Sequence, residues 1–238
     1  MLNAISFLFE REEIPAEVIR NVMLYSLDCY SEKGMSGESG TSRTAMMFLT
    51  SWLNGFGKIG RLDISGEYLS GADVTMKHDG RLVHALKTGG VIVLRVMLDV
   101  WHYILVTGIA DRSELCGCPY QAAGEQGRDL SGAVSPEKDQ RDGEPFREDQ
   151  IRAAEWYAAR QENCFQIFDP WYDQEEFLCP GMKIAGGHPM AYNRIVAECC
   201  FDREKGLYSV GEESEREAVI LYNRKTQLTE EKTIEYFI

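Results

Sequence analysis

Long apolar runs are missing from this sequence of 238 residues. No stretch approaches the roughly 20 residues that a membrane-crossing helix needs, so no membrane span is expected. Basic charge is scarce as well: 25 Lys and Arg stand against 38 Asp and Glu, for a net charge of −13. Phosphate recognition needs clustered cations, which excludes nucleic acid as a partner and argues against docking on anionic lipid. The opening stretch, MLNAISFLFE, has neither a basic n-region nor a small-residue cleavage site. It reads as a core helix, not a signal peptide, and the expected location is the cytoplasm. The seven cysteines are an odd number, read as reduced thiols in a chain without a secretion signal. Cys116-Gly-Cys118 is one residue short of a CxxC pair, and the adjacent Cys199 and Cys200 make a poor chelate. Neither a metal nor another cofactor is expected. The glycines at 34, 37 and 40 are not followed by Lys-Ser/Thr, so they form no phosphate loop.

What is present points to an α+β chain. A hydrophobic content of 44% suffices for one sizeable core, and one domain over 1–238 is expected. Apolar spacing predicts helices over 1–11, 16–30 and about 42–53, the last capped by Thr41 or Ser42 and ended by Asn54-Gly55 and Gly57. Residues 59–75 read as short extended pieces and turns, and 81–87 as a short helix before Gly89-Gly90. The runs 91–97 and 102–108 are rich in β-branched residues and apolar on both faces, which predicts an antiparallel pair in mid-sheet. Further strands are expected at 165–168, 208–210 and 218–222, with 212–217 a solvated acidic turn. Between the second and third strands lies a polar insertion, at about 111–150, which reads as disordered. Helices come first and the sheet second.

His102 opens a central strand in a stretch with few other polar groups, and by itself it reads as a core or edge histidine. Asp169 ends the next strand, where a carboxylate can fix the tautomer and orientation of an imidazole on the neighbouring strand. Its plainer reading is an Asp-Pro turn. Together, Leu86-Lys-Thr-Gly-Gly-Val-Ile-Val-Leu94, Trp101-His-Tyr-Ile-Leu-Val-Thr-Gly-Ile109 and Phe165-Gln-Ile-Phe-Asp-Pro170 resemble the pattern of the C39-type cysteine peptidases. That family implies a papain-like fold, with an N-terminal helical lobe packed on a C-terminal antiparallel sheet. It also implies a Cys-His-Asp triad, with His102 as general base and Asp169 as the orienting residue.

The resemblance places the nucleophilic Cys at the start of the first helix, immediately before Met1, so the chain as given lacks it. Two explanations stand: a start placed at an internal Met, favoured by the uncapped helix at residue 1, or a natural pseudoenzyme. None of the seven cysteines is expected to substitute, and Cys29 is placed at the unfavourable end of the second helix. Trp171 and Tyr172, directly after Asp-Pro, are candidates for one wall of a substrate groove, with core packing as the alternative. The expected partner is a peptide or protein substrate. The functional readings are peptide-bond hydrolysis, acyl transfer by the same chemistry, and a non-catalytic peptide-binding or regulatory module.

Overall fold

The computed structural model describes residues 1–10, 14–37, 40–59, 62–111, 163–170 and 192–224, together with the backbone of 182–184. Three helices come first: α1 (Leu2–Phe9), α2 (Ala16–Tyr25) and α3 (Arg43–Lys58). Then follow β1 (Ile64–Ser70), α4 (Arg81–Lys87), β2 (Val91–Met97), β3 (Trp101–Ala110), β4 (Cys164–Phe168), β5 (Met182–Ile184), β6 (Arg194–Ala197), the single turn α5 (Glu198–Phe201), and β7 (Glu217–Asn223). The seven strands form one sheet in the order β1-β7-β2-β3-β4-β6-β5. Every pairing is antiparallel. The chain is therefore α+β. No helix among the described residues is long and apolar enough to cross a membrane.

Alternation along the strands divides the core in two. Val91, Val93, Leu105, Val219 and Leu221 point to one face and pack against α1, α2 and α3 through Ile5, Val18 and Leu49. Ile92, Leu94, Val96, Ile104, Val106 and Ile220 point to the other and meet Leu82 and Val83 of α4, Phe201 of α5, and Tyr208. Both sides of β2 are thus covered, which explains why its sequence is apolar without a polar alternate. The expected pairing of 91–97 with 102–108 is present, as Ile92 opposite Val106 through Met97 opposite Trp101.

Four local expectations are corrected. The second helix stops at Tyr25, not at residue 30. Ser26 is extended and Leu27 left-handed at φ 56°, because Asp28 turns away to accept bonds from the N–H (2.6 Å) and hydroxyl of Ser42. Thr41 accepts from the Leu27 N–H at 2.9 Å. The third helix begins as expected, with the Ser42 hydroxyl accepting from the Ala45 N–H, but runs through Asn54-Gly55 to Lys58. Tertiary contact overrides the stop signal there: the Asn54 amide donates to the Gly66 carbonyl at 2.6 Å and accepts from its N–H at 2.8 Å. Residues 208–210 form no strand; Ser209 makes an isolated bridge to Met97. The acidic turn is a 3-10 turn at Glu213–Glu215, yet Glu217, expected in solvent, is fully buried. The expected disorder at about 111–150 falls outside the described residues, apart from Asp111.

Candidate functional site

The register of the sheet brings His102 and Asp169 together. Leu105 on β3 lies opposite Phe168 on β4, so the next position, Asp169, falls opposite Ile104 and diagonal to His102. Diagonal neighbours on one face are within reach of a long or ring side chain. His102 Nε2 stands 3.2 Å from Asp169 Oδ1. The imidazole is 13% exposed and the carboxylate is fully buried. Because a carboxylate only accepts, this pairing puts the proton on Nε2 and leaves Nδ1 as the nitrogen for acid–base work.

Asp169 is held from every side. Its N–H donates to Asn193 Oδ1 at 2.9 Å, and its carbonyl accepts from Asn193 Nδ2 at 2.7 Å. The Tyr208 hydroxyl donates to Oδ2, and Arg194 Nε lies 3.9 Å from the same oxygen. Arg194 faces it because β6 aligns Arg194 opposite Ile167, on the same side of the sheet. Tyr208 is a non-glycine residue at φ 65°, a conformation that costs about 1 kcal/mol or more. It is fixed by the bond from its N–H to the Met97 carbonyl at 2.7 Å. Hydrogen bonds and an opposite charge on a buried carboxylate offset its desolvation and lock its position.

A second buried acid, Glu217, ties the helices to the sheet. It pairs with Arg43 of α3 at 2.9 Å, accepts from the Tyr103 hydroxyl, and lies 3.4 Å from the Tyr68 hydroxyl. Burial first, and then the bond to Glu217, push the Tyr103 phenol far above its usual range. Tyr103 thus stays a neutral donor beside His102.

Between the 26–42 loop and the start of β3 lies a cavity of about 910 Å³ whose lining includes Cys29, Arg43, Arg95, Trp101, His102 and Tyr103. Cys29 is therefore near the histidine, but not at a helix end, since α2 stops four residues earlier. Burial and the Asp28 carboxylate beside it push its thiol up from 9.0, the wrong direction for a nucleophile. Cys164 and Cys200 are buried. Trp171 and Tyr172 lie outside the described residues.

Among the described residues, no three His, Cys, Asp or Glu side chains gather as a metal set. Sequence reasoning singled out His102 and Asp169 but missed Tyr208, Asn193, Arg194 and Glu217. A signal existed for one of them: a lone arginine opening the apolar run Arg-Ile-Val-Ala needs a buried acid. No family model, curated protein or solved structure matches this chain.

Proposed function

We propose that the chain carries the acid–base half of a C39-like, papain-type cysteine peptidase site, with His102 as general base and Asp169 as its orienting residue. The observation behind this reading is the 3.2 Å contact between His102 Nε2 and an Asp169 that is itself buried and clamped. An imidazole in core packing needs no such apparatus. In the reaction, His102 Nδ1 takes the proton of a thiol as its sulfur attacks a peptide carbonyl, then returns it to the leaving amine. Asp169 stabilises the imidazolium that forms between the two steps.

In the family's pattern the thiol stands at the start of the first helix, where the helix dipole favours its thiolate. Met1, at the head of α1, packs with Tyr103 and Phe168, whose side chains leave the sheet on the face opposite to their neighbours His102 and Asp169. The reading therefore rests on the His102–Asp169 pair and not on the helices. Passing the acyl group to an amine instead of water uses the same groups.

A second reading is a peptide-binding module without chemistry. It is favoured by the state of three of the described cysteines: Cys29 is held as a thiol, and Cys164 and Cys200 are buried. One experiment separates the two. The protein, in the form its own cell makes, is sequenced from its N-terminus and incubated with a mixed peptide pool read by mass spectrometry. The peptidase reading expects cleavage that falls about 10²–10⁴-fold in His102→Ala and strongly in Asp169→Asn, with the fold retained by circular dichroism. Undiminished biological activity in a folded His102→Ala variant would instead establish the binding module.

A further inference from the structure

The cavity beside His102 holds two guanidinium groups in a protein of strongly negative net charge, and they are not equivalent. Arg43 is neutralised by Glu217 at 2.9 Å. Arg95 pairs with no carboxylate among the described residues. Its NH1 donates to the Glu215 carbonyl at 2.9 Å, and its guanidinium carbon lies 4.0 Å over the centre of the Trp101 ring. The indole is itself immobilised. A Cβ on Gly211, at φ 75°, would come within 2.6 Å of the Trp101 ring, so only the bare glycine backbone lets the ring lie there. Stack and bond together fix the plane of the Arg95 fork at the cavity wall, with no carboxylate among the described residues set against its charge.

We propose that Arg95 is a specificity-determining residue that takes a peptide carboxylate in this cavity, making the ligand of the His102 site an acidic peptide. The proposal rests on the reading of His102 as the centre of a peptide site. A carboxylate fits better than a phosphate dianion. Among the described residues the wall holds one cation without a carboxylate, not two, and the surrounding field is that of an acidic protein, which disfavours each further negative charge on the ligand. The donors of Ser42 and Tyr103 at the wall are already given to Asp28 and Glu217, and the Thr41 hydroxyl accepts from the Leu27 N–H. Because the fork is pre-placed by Trp101, little ordering entropy is lost on binding. Arg95 and His102 both line the cavity, so a carboxylate on Arg95 fixes where the bound chain lies along the wall that carries the imidazole.

The test is a titration followed by the indole N–H resonance of Trp101, assigned with Trp101→Phe. The probes are an N-acetylated, C-amidated Ala-Glu-Ala peptide, its Ala-Gln-Ala analogue, acetylated tri-alanine with a free carboxylate, and inorganic phosphate. The expected result is a saturable shift with the Glu peptide, at least about tenfold tighter than with the Gln peptide. The affinity should be lost in Arg95→Gln, partly kept in Arg95→Lys, and unchanged in Arg81→Gln, whose guanidinium bonds the distant Glu67 and Asp73. Binding of tri-alanine in place of the Glu peptide would support the same proposal, with the chain terminus as the source of the carboxylate. Equal binding of Glu and Gln peptides, phosphate binding as tightly as the Glu peptide, retention in a folded Arg95→Gln variant, or no saturable shift at all would each overturn it. The titration reads binding alone and needs no turnover. Absent cleavage with intact binding therefore defeats the His102 reading alone, and absent binding with intact cleavage defeats this one.

Discussion

Single side chains decide whether a thiol or an imidazole at this cavity is reactive. Cys29 and His102 share a wall of it, but their electrostatic company differs. Cys29 has burial and the Asp28 carboxylate acting against its thiolate, whereas His102 is oriented by the Asp169 carboxylate, 3.2 Å from its Nε2. Asp28 stays anionic because the bonds from the Ser42 hydroxyl and N–H outweigh its burial and draw its carboxyl down. The thiolate of Cys29 should therefore be scarce at neutral pH. Alkylation of Cys29 by iodoacetamide, followed on its tryptic peptide, is expected to be slow at pH 7 and to climb through pH 9 and beyond. Asp28→Asn should shift that profile to lower pH, since it removes the negative charge beside the sulfur. A rate already level at pH 7 would reveal a thiolate and bring Cys29 back as a nucleophile.

Elements here are placed by contacts that their own sequence does not announce, and α3 gives the sharpest example. Asn54-Gly55 reads as a stop, yet the helix continues to Lys58. The two glycines it carries have opposite roles. A Cβ on Gly55 would meet nothing within 4 Å, while one on Gly57 would stand 2.0 Å from the Ile64 carbonyl oxygen. Gly55→Ala should stabilise the protein by about 0.5–1 kcal/mol through the reduced entropy of the unfolded chain. Gly57→Ala should cost about 1–3 kcal/mol, because β1 must be pushed off the helix. Urea unfolding of the two variants checks both signs, and equal effects would refute this account of how α3 docks on β1.

The same contrast governs what could be read beforehand. The hairpin of β2 and β3 was legible because an apolar run on both strand faces has few homes other than mid-sheet. His102 and Asp169 were legible because each is polar at the end of such a run. Tyr208 and Glu217 were not: their partners Asp169 and Arg43 lie 39 and 174 residues away, and no local period encodes a pairing over that distance. The early end of α2 was hidden for the same reason, since it depends on Asp28 reaching Ser42 across a 14-residue loop.

At the scale of the whole molecule, β2 couples everything. Val91 and Val93 belong to the core under α1–α3, and Ile92, Leu94 and Val96 belong to the core under α4 and α5. Neither core can open without stripping one side of a strand that the other core needs. The Asp169 clamp depends on both the β3–β4 register and the Tyr208 segment pinned to the end of β2, so it should vanish in the same step. Leu49→Ala, on the first face, and Leu82→Ala, on the second, both remove fully buried side chains and should each cost about 2–5 kcal/mol. Tryptophan fluorescence and far-ultraviolet circular dichroism should trace a single coincident urea transition for the parent and both variants. If Leu82→Ala instead produced an early transition by one probe, with the α1–α3 side still folded, the sheet would be two units joined at β2. The geometry around His102 could then be lost while most of the helical structure survived.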